Sequence, residues 1–161
     1  MNYKNKIFST LDTKALKLIE KWKMSGQKLV FTNGCFDILH SGHIKYLSEA
    51  KNLGDKLIIG LNSDSSVRKL KGTSRPVKSQ NCRADILAFM SGVDMVVIFE
   101  EDTPIDLIKK IIPDVLVKGG DWKPQQIVGA DLVIKNGGEV KSLAFLEGYS
   151  SSKIINRMHK V

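Results

Sequence analysis

Apolar residues along this chain switch between two periods. Leu11, Ala15, Leu18 and Trp22 recur at steps of four, three and four, the stripe of an amphipathic helix that ends near Ser25-Gly26. Lys28 to Thr32 is short, apolar and β-prone, which predicts a strand, and the turn Asn33 to Asp37 leads into a second helix. Ile44, Leu47 and Ala50 share one face of that helix, and Gly54 closes it. Asp55 to Leu61 is nearly continuous in apolar residues rather than alternating, so it reads as a strand buried on both faces. Further on the pattern predicts a helix from Asn81 to Ser91 and a strand from Met95 to Phe99. A helix with Thr103 as N-cap and Pro104 at its first position then runs to Ile112, where Pro113 stops it. After that come a strand from Val115 to Val117, a Gly-Gly turn, a helix from Val128 to Asn136, a strand from Glu139 to Leu143 and a closing helix from about Ser151.

Five strands alternating with helices, and hydrophobic on both sides, predict an α/β fold: a doubly wound, parallel, five-stranded sheet covered by helices on both faces. Residues 1–26 form a helical lead and 27–161 the core, the two expected to make one domain. In this architecture ligands lie outside the carboxyl ends of the strands where strand order reverses, so the loops following strands are where chemistry is sought.

Composition narrows the class. With 42% hydrophobic and 26% charged residues the chain is globular. No apolar run nears the ~20 residues that span a bilayer, and the start MNYKNK lacks a signal-peptide core, which predicts a cytoplasmic protein with no membrane association. The only cysteines, Cys35 and Cys82, make neither a C-x-x-C pair nor a disulfide framework, as expected in a reducing compartment. The 25 Lys and Arg outnumber the 17 Asp and Glu, for a net charge of +8, but the placement of that charge matters more than its sum. Ser65 to Ala84 holds Arg68, Lys69, Lys71, Arg75, Lys78 and Arg83 and no acid, while acids gather at Glu100-Glu101-Asp102. Such a run is either solvated or faces an anion. A nucleic-acid partner is not expected: aromatics are only 7%, and no strand carries a cluster of them for stacking bases.

Two of the three histidines stand in Asp37-Ile-Leu-His40-Ser41-Gly42-His43, directly after the first predicted strand. At i, i+3 on the first turn of a helix both imidazoles lie on one side of its N-terminus, where free amides and the positive dipole end favour an anion and Gly42 lets a ligand approach the backbone. Histidines there can donate to phosphate oxygens. Two other readings stand beside this one. The pair could ligate zinc with Asp37 and Cys35, although a metal site requires neither Gly42 nor the cationic run downstream; or it could simply decorate a helix cap.

The stretch Thr32-Asn33-Gly34-Cys35-Phe36-Asp37-Ile38-Leu39-His40-Ser41-Gly42-His43 resembles the HxGH signature of the cytidylyltransferase-like nucleotidyltransferases, which have a Rossmann-like sheet. Together with Leu70-Lys71-Gly72, Arg75-Pro76, Glu101-Asp102-Thr103-Pro104, Val117-Lys118-Gly119-Gly120-Asp121 and Glu147-Gly148-Tyr149-Ser150-Ser151, it is similar to the branch that adenylylates D-glycero-β-D-manno-heptose 1-phosphate. That branch often occurs fused behind a heptose kinase. The resemblance covers nearly everything from Gly26 to Lys160 and implies a stand-alone adenylyltransferase, since 161 residues leave no room for the kinase.

The resemblance implies that AMP passes from ATP to heptose 1-phosphate, giving ADP-heptose and pyrophosphate for lipopolysaccharide or surface-glycan synthesis, with Mg²⁺ carried in by ATP and no protein metal site. His40, His43 and Lys71, the last on a loop after the second strand, would be catalytic. Thr32, Asn33, Gly34, Cys35, Phe36, Gly42, Lys118, Gly119, Gly120, Tyr149, Ser150 and Ser151 would bind nucleotide. Asp37, Arg83, Asp121 and Trp122 would serve the acceptor, and a homodimer is expected. The residues themselves leave room for simpler roles: a serine caps a helix, paired glycines make an ordinary turn, and Trp22 and Cys35 suit packing. Two alternatives remain, a cytidylyltransferase acting on glycerol 3-phosphate or a similar phosphorylated alcohol, and a non-catalytic basic RNA-binding module.

Overall fold

Four strands, Leu29–Gly34, Lys56–Asn62, Met95–Phe99 and Val115–Gly119, carry the longest buried apolar runs and make the middle of one parallel sheet. The structure, a computed structural model, describes residues 2–144 together with Ser151, Ile154 and Ile155. Numbered along the chain, the strands are β1 (Ile7–Phe8), β2 (Leu29–Gly34), β3 (Lys56–Asn62), β4 (Met95–Phe99), β5 (Val115–Gly119) and β6 (Glu139–Leu143), in spatial order β1-β4-β3-β2-β5-β6 with every pair parallel. The helices are α1 (Thr13–Met24), α2 (Ser41–Lys51), α3 (Asp64–Lys71), α4 (Gln80–Phe89), α5 (Ile105–Ile111) and α6 (Ala130–Lys135); Ser151, Ile154 and Ile155 are helical too.

Side chains alternate across the sheet, as the two-residue period of a strand requires. Leu29, Phe31, Ile58, Met95, Val97 and Leu116 face a core shared with Ala15 and Ile19 of α1, Leu107, Ile108 and Ile111 of α5 and Val133 of α6. Val30, Leu57, Ile59, Leu61, Val96, Ile98, Val115 and Val117 face the other core, with Tyr46, Leu47 and Ala50 of α2 and Ala84, Leu87 and Ala88 of α4. Each fully buried large aliphatic stabilises by about 1.5–3 kcal/mol, so both faces contribute.

Four elements depart from expectation. The sheet has six strands rather than five: β1 pairs Ile7 with Val96 and Phe8 with Val97, which buries Phe8. Residues Asp64–Lys71 form α3 where a loop was expected, capped by Ser63, whose Oγ accepts from the Ser66 amide at 3.1 Å. On α2, Ile44 is 56% exposed, and Tyr46 takes its place in the core. Finally, Pro104 is the N-cap of α5 rather than its first helical residue.

Candidate active site

The strand order reverses at β2. It continues through α2 to β3 on one side, and β5 lies on its other side, reached from β4 through α5 on the opposite face. The crevice above the carboxyl ends of β2 and β5 is therefore where an open α/β sheet holds its ligand. β2 pairs with β5 only at Val30–Val115 and Phe31–Leu116, whereas β2–β3 pairing continues to Gly34–Leu61 and β5–β6 pairing to Gly119–Leu143.

Asn33, Gly34, Cys35 and Phe36 carry the chain from β2 over this crevice to α2. Phe36 lies in the left-handed region (φ 45°), and Gly34 is there to admit its ring, since a Cβ at Gly34 would meet Phe36 Cε2 at 2.9 Å. The buried Phe36 ring packs against His43 with centroids 5.4 Å apart. His40 is the N-cap of α2, and its ring stacks on that of His43 at 3.9 Å with 28° between planes. Gly42 lies between them in the first turn, where the helical bonds begin only with the His43 and Ile44 amides, both donating to the His40 carbonyl. His43 Nδ1 is buried and has no hydrogen-bond partner among the described residues. Burial, then the neighbouring His40 charge, pushes the His43 pKa down to about 4, and burial lowers that of His40. Both rings are therefore neutral at pH 7 until an anion favours their protonation.

Across the crevice, Lys118 at the end of β5 donates to Asn33 Oδ1 at 3.4 Å. Its pKa is lowered by burial and by the charge of Lys71, against the opposing effect of Cys35. Lys71 is the last residue of α3, exposed, and followed by Gly72 at φ +94°. Burial raises the pKa of the Cys35 thiol. Gly119 ends β5, and Gly120 (φ +117°) is tied to Leu143 by its amide and to Ser142 by its carbonyl. The turn leaves Asp121 and Trp122 exposed at the rim. Ser151 donates to the Ile38 carbonyl at 2.9 Å, which sets a second helical segment beside the histidine turn. Tyr149 and Ser150, expected at the nucleotide, lie outside the described residues.

Three expected ligand contacts turn inward instead. Asp37, 2% exposed, accepts from Arg75 Nε at 2.6 Å and from the amides of Val77 and Lys78. Burial would raise its pKa, but the Lys78 and Val77 amides and Arg75 outweigh it and hold the carboxyl below the usual range. Arg83, expected at the acceptor phosphate, is 1% exposed and donates to the carbonyls of Lys78, Cys35 and Asn62 and to Asp64 Oδ1. Thr32 is fully buried, its hydroxyl 2.6 Å from that of Tyr46. Each side chain satisfies a buried polar group and has little capacity left for substrate. The same bonds remove the carboxylate that a zinc reading of the histidine pair needs, and give Arg75, which had no assigned contact, the role of anchoring the loop after α3. Tyr46 was not singled out in the sequence, although its place three residues after His43 puts it on the same side of α2.

A parallel sheet with a histidine pair at a helix N-terminus and two lysines near the crevice is, among the described residues, an arrangement suited to holding phosphates. The chain belongs to the cytidylyltransferase-like family, whose sequence profile matches residues 31–157. It is 54% identical over 142 residues to Bifunctional protein HldE of Wolinella succinogenes and 55% identical over 139 residues to that of Haemophilus ducreyi. These matches take in 88% and 86% of this chain, which spans only 29% of the length of either relative. Among solved structures, the lipopolysaccharide core biosynthesis protein from Thermoplasma volcanium matches with TM-score 0.60 and 30% identity, covering 78% of this chain and 100% of that one. Pantoate-beta-alanine ligase from Francisella tularensis, at 16% identity and TM-score 0.56 over 96% of this chain and 78% of that one, shares the fold.

Proposed function

We propose that this chain transfers AMP from ATP to D-glycero-D-manno-heptose 1-phosphate, releasing pyrophosphate and forming ADP-heptose. The stacked His40–His43 pair at the α2 N-terminus carries the reading, with Lys118 bonded to Asn33 at the end of β5 and close enough to Lys71 to feel its charge. An oxygen of the sugar phosphate attacks the α-phosphorus in line while pyrophosphate leaves opposite. That oxygen is already anionic near neutral pH, so no general base and no covalent enzyme intermediate are needed. The rate is limited by bringing two anions together and by stabilising charge on the equatorial and leaving oxygens. His40, His43 and the first-turn amides of α2 suit the triphosphate, Lys71 the leaving pyrophosphate, and Lys118 with Asn33 the oxygens between the reactants.

Mg²⁺ enters as part of the ATP substrate, held by phosphate oxygens and water. Among the described residues no group of three or more His, Cys, Asp or Glu side chains is arranged to hold a metal, and Asp37 is committed to Arg75 and two amides. The Gly119–Gly120 turn leaves Asp121 and Trp122 free for sugar hydroxyls and the base. No described helix is long and apolar enough to cross a membrane. The reading supplies phosphorylated substrates of the cytoplasm, where two unlinked cysteines fit, and a homodimer as the assembly.

Relatives at 53–55% identity called Bifunctional protein HldE, and a structural relative named for lipopolysaccharide core biosynthesis, support the heptose reading. The family description favours a cytidylyltransferase as the second reading. Pyrophosphate release measured over a grid of nucleoside triphosphates and phosphorylated sugars and alcohols separates them. Turnover is expected only with ATP and heptose 1-phosphate; turnover with CTP and glycerol 3-phosphate would overturn the first reading.

A further inference from the structure

Tyr46 is a buried phenol directly beneath the crevice. Its hydroxyl lies 2.6 Å from Thr32 Oγ1 on β2 and donates to the Val117 carbonyl on β5 at 3.4 Å, so Thr32 is the donor in the shorter bond. These two residues immediately precede Asn33 and Lys118. They also lie where the β2–β5 ladder has ended, after Phe31–Leu116, so the phenol spans two strands whose backbones no longer pair. A strand gap at this depth leaves a carbonyl and a hydroxyl that must find partners, and Tyr46 is that partner. The same side chain belongs to α2, three residues after His43 and on the same side of the helix.

We infer that Tyr46 is a positioning residue for nucleotidyl transfer: its hydroxyl bridges β2 and β5 across their unpaired ends and so fixes the distance from the His43 ring to Lys118. A change in that bridge turns α2 and spreads β5 together, moving both sides of the phosphate site at once. Burial pushes the phenol up to about 12, with the Thr32 bond opposing, so it stays protonated at working pH. Near-attack geometry tolerates displacements well under 1 Å, which is why one hydroxyl below the site reaches the rate.

The inference rests on the nucleotidyl-transfer reading, and its test has one arm that does not. Tyr46→Phe keeps the ring and removes the bridge. It is expected to lower kcat about tenfold with KM for ATP within about twofold, and to lower kcat less than twofold further in a Lys118→Ala background. Thr32→Val should reproduce the loss and Thr32→Ser should recover it. Equal losses in both backgrounds, or an unchanged kcat in an active wild type, would overturn the positioning role. The second arm follows Lys118 by NMR after ¹³C-methylation of lysines, with no turnover required. In Tyr46→Phe the Lys118 titration is expected to move up towards that of a solvated lysine as the crevice floor loosens, and an unmoved titration overturns the proposal. If wild type releases no pyrophosphate with any pair in the grid while Lys118 shifts as expected, the reaction reading fails and the bridge stands.

Discussion

His43 is the residue where geometry and charge meet most directly. Buried against Phe36 and His40, it holds a pKa near 4 against an ordinary 6.5. Between those values the unfolded chain takes up a proton that the native ring refuses, so stability falls as pH drops from about 6.5 towards 4. Urea denaturation across that range should show wild type losing stability relative to His43→Asn; parallel curves would refute the depressed pKa. A polyanion beside the ring favours the imidazolium, so MgATP should raise the His43 titration midpoint, read by NMR of its ring proton, and should bind with proton uptake. Replacing either histidine with Ala should cut turnover by about two orders of magnitude or more with the fold intact, because donors aimed at developing phosphate charge act chiefly in the transition state. A rate within tenfold of wild type would remove the pair from the chemistry. Lys71 should behave alike: Lys71→Ala lowers kcat more than it raises KM for ATP, and the opposite split would assign it to ground-state binding.

Among the elements, those that carry a run or stripe of apolar residues were legible, and α3 and β1 were not. β2 to β5 declare themselves by continuous buried runs, and α1 by a stripe over three turns. α3 is hidden because Asp64–Lys71 offers only Val67 to the core and leaves Leu70 52% exposed, too little for a helical period. β1 contributes two residues, which have no period at all. The twelve-residue histidine motif pointed to the loop after β2, yet the partners of Asp37 and Arg83 were illegible because all but the Lys78 carbonyl lie 19 to 48 positions away and meet only through the fold. These two side chains tie the β2 turn to the loop before α4 and to the start of α3. Truncating one member of a buried ion pair strands the other, which costs about 3–5 kcal/mol. Arg83→Ala and Asp37→Ala should each lower unfolding stability by that order in urea melts. Native stability in Arg83→Ala with a raised KM for the acceptor would return Arg83 to the acceptor phosphate.

For the molecule as a whole, the +8 charge resolves into parts with different jobs. Within the acid-free run, Arg75 and Arg83 are consumed by Asp37 and Asp64, and Lys69 lies 3.7 Å from Asp102. Arg68, Lys71 and Lys78 have no ion pair among the described residues, and Lys118 adds a cation inside the crevice. A cleft walled by low-dielectric protein focuses such charge on incoming anions, whereas Lys14, Lys17 and Lys21 on the exposed side of α1 sit in water. Screening separates the two groups, since the Debye length shrinks from about 30 Å at 0.01 M to about 8 Å at 0.15 M salt. kcat/KM should therefore fall several-fold as NaCl rises over that range. If focusing within the crevice is responsible, the slope should flatten in Lys71→Ala and Lys118→Ala and persist in a Lys14/Lys17/Lys21→Ala triple variant, although the triple removes more charge. Equal flattening per charge in both sets would mean that the net charge of the molecule, rather than its arrangement around the β2–β5 crevice, draws the substrates in.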